Sequence, residues 1–328
     1  MLGMLLIAAA GTVQTAQLKT FKDWIVGCDN GLLCQASAMM PETDTSITVT
    51  VRRSPEPGAT PQVWMRSVDT DIADVVADGH KLGLHLTKNA DDAFVVAPPD
   101  ALKFLDTLRS ANKVEGLDPK GKPVGDILVN GATAALLYID DRQHRLGTRG
   151  ALVPRGDRPD SSIPAPPALP VRVAVAGSSR PAPKLSAAFV AKVRKDNDCP
   201  DEKDPNLVNV DRVDSSHSFA TITLICQSGA YNYLSANYVI ADGGAPQPAK
   251  FDDDNSKEDG DLHYNLYWDA KTHRLDAGMK GRGIGDCGGM QHYVWDGSEF
   301  RLVAVEEMTQ CRGVIDFISV WRAKVVER

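Results

Sequence analysis

Lys280-Gly-Arg-Gly-Ile-Gly-Asp-Cys-Gly-Gly289 is where this chain concentrates residues able to do chemistry. Lys280 and Arg282, with Arg312 further on, could contact an anion. Asp286 stands beside Cys287, and glycines let a backbone approach a ligand closely. The known phosphate-binding patterns fail here. A dinucleotide fingerprint starting at Gly281 needs glycine at 286, where Asp286 stands, and a helix should follow. A phosphate loop needs Gly-Lys-Ser/Thr at its end, which is absent. Two readings remain. One is a ligand-approach loop contacted by Lys280, Arg282, Asp286 and Arg312. The other, which is expected, is tight turn packing around Cys287.

Elsewhere the chemistry thins out. Phe251-Asp-Asp-Asp-Asn-Ser-Lys-Glu-Asp-Gly-Asp261 gathers carboxylates. Lys257 breaks the alternation that a calcium loop needs, so a solvated acidic loop is expected and no metal site. Neither Gly-x-Ser-x-Gly nor His-Glu-x-x-His occurs. His80 and His85 are five apart on strand-like sequence and face opposite ways. His263, His273 and His292 are scattered and read as surface residues. Trp268, Trp295 and Trp321 fall on strands, where core packing is expected and a carbohydrate platform is the alternative. No catalytic residue and no cofactor can be named from these patterns.

Six cysteines fall into three neighbouring pairs: Cys28 and Cys34, Cys199 and Cys226, Cys287 and Cys311. Without Cys-x-x-Cys and without histidine at ligand spacing, disulfides are expected rather than a redox or zinc site. Cys28 and Cys34 flank Asp29-Asn-Gly-Leu-Leu33, and Asn-Gly signals a hairpin turn. The other two pairs close loops of roughly 25–28 residues, each worth on the order of 3 kcal/mol. Disulfides imply folding outside a reducing cytoplasm. The apolar start, Met1-Leu-Gly-Met-Leu-Leu-Ile-Ala-Ala-Ala10, agrees. It reads as a signal peptide over residues 1–16, with Ala16 the last residue before cleavage. A buried terminal element is the alternative. No other stretch is apolar enough to span a membrane.

The elements that must position these residues divide at a Pro-rich stretch. Hydrophobic content of 43% and charged content of 24% are ordinary for a globular chain, and 328 residues suit two domains. A net charge of −7 without basic runs argues against nucleic acid as partner. Eight prolines crowd into 154–183, which reads as a linker with Val171–Val175 as a short edge strand. Residues 17–153 read as a β-rich domain with two helices. Strands are expected at Trp24–Cys28, Ser46–Arg52, Val63–Met65 and Leu82–Leu86. Asp100 should cap the first helix, with Leu102, Leu105 and Leu108 on its apolar face. The second should run from Gly131 to Arg145. Residues 184–328 read as an antiparallel β domain opened by a helix capped at Ser186. Its strands are expected at Ser218–Cys226, Asn232–Val239, His263–Trp268 and Phe317–Arg322, with a hairpin at Asp296-Gly297. The fold class is α+β, mostly β: two disulfide-stabilised domains of antiparallel sheet with a few short helices.

Two segments carry a family likeness. Phe21-Lys-Asp-Trp-Ile-Val-Gly-Cys-Asp29 with Cys34-Gln-Ala36 resembles the opening of invasion-associated locus B proteins of bacterial envelopes. Lys280–Gly288, Tyr293-Val-Trp-Asp-Gly297 and Cys311-Arg-Gly313, with six cysteines, resemble the exported bacterial family called domain of unknown function 1176. The second resemblance covers nearly the whole chain. It implies a periplasmic or secreted protein and no established activity. The expected function is a non-enzymatic binding module engaging an envelope or host component. An exported hydrolase acting on envelope material, or a secreted enzyme inhibitor presenting Lys280–Gly289, is the alternative. A cleft between the two halves, and the side chains converging there, would discriminate them. Oligomeric state is left open.

Overall fold

The computed structural model describes residues 14–41, 47–68, 70–252 and 262–328. Residues 1–13 of the expected 1–16 signal peptide and residues 253–261 of the acidic run lie outside them. The chain is mostly β, with several antiparallel sheets and, among the described residues, three α-helices.

The first half is built on a seven-stranded antiparallel sheet. Strands β1 (Lys19–Phe21), β2 (Trp24–Cys28), β3 (Cys34–Ala38), β4 (Thr48–Arg53) and β5 (Gln62–Arg66) follow in order, and Phe94–Val96 and Leu86–Lys88 complete it. Alternation sorts the side chains. Trp24, Val26, Cys34, Ala36, Val49, Val51, Val63 and Met65 enter one core with Phe104, Leu105 and Leu108 of helix α1 (Pro98–Ser110) and Leu136 and Ile139 of helix α2 (Ala132–Arg142). β2 and β3 are buried at every residue. Burial on both faces means that something also covers the outer side.

The cover comes from the other end of the chain. Strand Ile318–Arg322 crosses β2 and β3 and closes a further core from Ile25, Met39, Cys287, Met308, Val314 and Ile318. Gly27 allows that approach, because a Cβ there would meet Leu18 Cδ2 at 2.4 Å and Ile318 Cγ2 at 3.1 Å. Ile318–Arg322 ends a five-stranded antiparallel sheet whose other strands are Tyr267–Asp269, Arg274–Lys280, Gly288–Trp295 and Phe300–Met308. A second sheet in this half runs Val208–Arg212, His217–Thr223, Leu234–Ala241 and Gln247–Pro248, with Leu262–Tyr264 also on Leu234–Ala241. Helix α3 (Ala187–Asp196) packs beside it, capped at Ser186 as expected, where Oγ accepts from Phe189 N–H.

All six cysteines are paired, as Cys28–Cys34, Cys199–Cys226 and Cys287–Cys311. Cys28 and Cys34 are direct cross-strand partners of β2 and β3. The turn between them uses Leu32 at φ 63° and the Asp29 carboxylate, which accepts from the Gly31 and Leu33 amides. Gly31 is therefore not the left-handed residue that Asn-Gly implied.

Other expectations need correcting. Helix α1 starts at Pro98 with Ala97 at its N-cap, because proline's fixed φ and missing N–H suit the first turn. Asp100 lies inside that turn and accepts from the His85 backbone and ring at 2.9 and 2.8 Å. Leu102 faces outward, and α2 ends at Arg142. The Leu82–Leu86 run is broken by Gly83 at φ 63°. His263–Trp268 is two strands in two sheets, since Asn265 turns the chain at φ 50°. Val171–Ala174 is a strand, but it pairs in parallel with Lys324–Glu327, against the antiparallel expectation. Residues 184–328 thus form two antiparallel sheets, and their last strand, Lys324–Glu327, pairs in parallel with Val171–Ala174.

Candidate functional site

The outer face of β3, β4 and β5 presents Gln35, Ser37, Thr50, Arg52, Trp64 and Arg66. Register makes them neighbours: Gln35 pairs with Arg52, Ser37 with Thr50, and Thr50 with Trp64. Arg52 donates through Nε and Nη2 to Gln35 Oε1 at 3.0 and 2.7 Å. Its guanidinium also lies 5.2 Å over the Trp64 ring, a cation–π contact. Asp316, on the segment after Cys311, descends onto this face. It accepts from Arg66 Nε and Nη2 at 2.9 Å, from Trp64 Nε1 at 2.8 Å and from Thr50 Oγ1 at 3.4 Å. Gln35 Nε2 donates to the Asp316 carbonyl at 2.8 Å.

A cleft of about 560 Å³ opens beside this cluster, lined by residues of the first half with Asp316 as the one contribution from the second. Its floor is Arg52, Trp64, Arg66 and Asp316, and Gln62 and Asn89 stand at the exposed rim. Five hydrogen bonds from Arg66, Trp64 and Thr50 hold the Asp316 carboxylate, three of them on Oδ2. The other carboxylate of the lining, Asp91, is exposed at the rim and faces no paired acid. The cleft presents the Arg52 guanidinium stacked on Trp64, with the Gln62 and Asn89 amides beside it.

The residues singled out from sequence have other tasks. Arg282 forms a two-pronged ion pair with buried Asp286, through Nε to Oδ1 at 2.7 Å and through Nη2 to Oδ2. Asp286 Oδ2 also accepts from the Gly313 amide at 2.6 Å. Arg312 donates to Asp23 Oδ1 at 2.9 Å and to the Met40 carbonyl at 2.7 Å. Lys280 stays exposed, its backbone clamped by the Asn232 side chain. The structure brings Arg282, Asp286 and Arg312 to the seam between the halves, but onto protein partners. Two of the glycines have packing reasons: a Cβ on Gly281 would lie 2.7 Å from Cys287 Sγ, and one on Gly288 1.9 Å from the Met279 carbonyl oxygen.

Arg52, Trp64, Arg66 and Asp316 were missed. The polar side of Thr48-Val-Thr-Val-Arg52 signalled an outward face, but nothing in it said that the face would be covered. Trp268, Trp295 and Trp321 are all buried, so the carbohydrate platform considered for them is absent. Asp214, Ser216 and His217 resemble a triad only by residue type. Ser216 Oγ and Asp214 both meet His217 Nδ1, at 3.1 and 2.9 Å, so no proton path crosses the ring. Asp276 lies 2.5 Å from His292 Nδ1, with Glu306 4.0 Å from Nε2. Among the described residues no group of His, Cys, Asp or Glu is arranged to hold a metal.

The buried carboxylates set the acid limb of stability. The Arg282 hydrogen bond holds the Asp286 carboxyl below its ordinary value, against burial. Burial pushes Asp214 upward, but bonds from the Ser216 amide, Trp295 and His217 outweigh it and the net direction is down. Groups depressed on folding contribute stability that is complete above the unfolded value of 3.8 and lost as pH falls through the folded one. Asp140 and Glu307, raised by burial, act the other way and gain stability as pH falls. The urea midpoint should therefore hold or rise from pH 7 to about 5, as the raised carboxyls take up protons, and fall below about 4. Asp286→Asn should shrink that acid collapse. A midpoint that falls steadily between pH 7 and 5 would contradict this account.

Several antiparallel sheets and three disulfides define a disulfide-stapled, mostly β protein. The chain belongs to the family described as protein of unknown function (DUF1176), whose model matches residues 18–324. It is 25% identical over 318 residues to the uncharacterized protein YpfG of Escherichia coli (strain K12), covering 89% of this chain and 88% of that relative. No solved structure matches it significantly. The likeness to locus B proteins rests on the Phe21–Ala36 segment alone and is not shown by these comparisons.

Proposed function

We propose that the protein is a non-enzymatic binding module of the bacterial periplasm or cell surface, taking a polar envelope component into the cleft floored by Arg52 and Trp64. One observation carries this reading: the carboxylate at the floor, Asp316, is spent on Arg66, Trp64 and Thr50, while Arg52 is stacked at the cleft surface. The three disulfides support a compartment outside the reducing cytoplasm. No helix of the described residues is long and apolar enough to cross a membrane.

Immobilised protein should recover a specific component from envelope extracts, and Arg52→Gln should lower its affinity by about tenfold, or 1.4 kcal/mol, with an unchanged melting temperature. Equal recovery by both proteins would remove the cleft from the account. Turnover of a peptidoglycan, ester or peptide substrate, abolished by one polar substitution, would replace binding with hydrolysis.

A further inference from the structure

The five-stranded sheet of the second half turns Leu275, Tyr293 and Leu302 into the core, so its other face carries Arg274, Val294 and Val303. The parallel pair Val171–Ala174 and Lys324–Glu327 lies over that other face without sealing it. Ala174 packs on Val294 and Val303. The Ala323 amide donates to the Val303 carbonyl at 2.8 Å and the Val175 amide to the Trp295 carbonyl at 2.9 Å, which pins both ends of the pair. Between pair and sheet is a pocket of about 340 Å³, with Val294, Val303 and Ala304 on its floor. Val325 and Glu327 enter it from above, as alternation along one strand requires. The volume is at the small end of the roughly 300–1,000 Å³ of ligand sites. The pocket shares no residue with the Arg52–Trp64 cleft.

Four ionisable side chains line the pocket: His273, Arg274, Arg322 and Glu327. Two are engaged. Arg322 pairs through Nε with buried Asp29, and the His273 ring packs against Gly177, where a Cβ would meet Nε2 at 2.1 Å. Arg274 and Glu327 remain. Among the described residues neither makes an ion pair or a side-chain hydrogen bond, and Arg274 Nε is buried with no partner. The neighbouring charges are committed elsewhere. Asp269, across the strand pair from Arg274, accepts from the Lys271 amide and from Thr272 Oγ1, both at 2.8 Å. Arg172, beside Val325, pairs with Asp252 at 3.3 Å.

A buried guanidinium N–H without an acceptor carries a desolvation cost that a ligand oxygen would remove. An anion alone would meet Glu327, and a cation alone would meet Arg274. One free cation on the sheet, one free carboxylate above it and an apolar floor between them complement a small zwitterion with an aliphatic body. We propose that this pocket binds an α-amino acid with an aliphatic side chain. Its carboxylate lies on Arg274, its ammonium at Glu327 and its side chain on Val294, Val303 and Ala304.

Calorimetric titration of the full chain with L-leucine is the test. Saturable binding is expected. Isocaproate, which lacks the ammonium, and isoamylamine, which lacks the carboxylate, should each bind at least about tenfold more weakly. Glycine, with nothing to lay on the apolar floor, should also fall behind by about tenfold or more. Arg274→Gln and Glu327→Gln should each weaken leucine by about tenfold or more. Neither should move the melting temperature, since neither side chain holds a partner in the free protein. Should Arg274→Gln fold poorly, Glu327→Gln, at an exposed position, carries the test. No saturable binding below about 10 mM, equal affinity for isocaproate, or undiminished binding by either variant would each overturn the proposal. So would melting temperatures lowered alike by Arg274→Gln, Glu327→Gln and the double variant, because the two side chains would then be paired with each other.

Discussion

Asp316→Ala should cost about 3 kcal/mol of stability, because the carboxylate's partners are left without it at a mostly covered seam. Arg66 and Asp316 side chains are only 19% and 12% exposed, so water cannot replace the lost bonds in full. Trp64 Nε1 and Arg66 both lose their acceptor. Urea denaturation of the intact protein measures the loss. Arg66→Ala alone should also destabilise, and the double variant should cost less than the sum, since the second substitution removes a group that the first has stranded. A loss under about 0.5 kcal/mol for Asp316→Ala would mean that the contact is a surface pair of little worth. The cleft should suffer too, because Asp316 forms its floor.

Gly131→Ala should be more damaging still, at about 4 kcal/mol or above, because it combines a forbidden backbone angle with a backbone clash. Gly131 holds φ 102° just before α2, and a Cβ there would sit 1.8 Å from the Phe21 carbonyl oxygen. Neither partner can step aside. The preceding residues are stitched to β2 and its turn, with Asp23 N–H donating to the Asn130 carbonyl and Trp24 Nε1 to the Leu128 carbonyl. Gly147→Ala is the control. It has φ 73° but nothing within 4 Å of a Cβ, so only the backbone angle is penalised, at about 1 kcal/mol. Equal losses at both positions, measured in urea, would show that crowding at Phe21 is not the cause.

Legibility in this chain followed sequence distance. The three disulfides close over separations of 6, 27 and 24 residues, and neighbouring spacing was enough to choose them. Ser186 as a cap and the Asp296-Gly297 hairpin are local chemistry, and both are present. Helix α1 was placed by its apolar repeat but started wrongly, because Pro98 outranked Asp100 as the opening signal. The candidate site was unreadable for a different reason. Asp316 meets Trp64 across 252 residues and Arg66 across 250, and no local pattern marks an aspartate for partners so far away. The same holds for Arg312, a possible anion contact by sequence and found on Asp23. Glycines 281–289 were read as packing around a staple, and the close approaches at Gly281 and Gly288 supply the physical reason.

The strand Ile318–Arg322, laid across β2 and β3, also sets an order of events in folding. Its Arg322 carbonyl accepts from the Asn30 side chain, 292 residues earlier. A chain delivered N-terminus first to the compartment where its disulfides form can pair β1 to β5 and close the α1–α2 side before that strand arrives. Until then the Ile25 and Trp64 face stands open to water and to other unfolded chains, a sticky intermediate of the kind chaperones hold. Contacts this distant in sequence form slowly. The cleft is therefore finished late, because Arg66 and Trp64 wait for the Asp316 carboxylate that answers them.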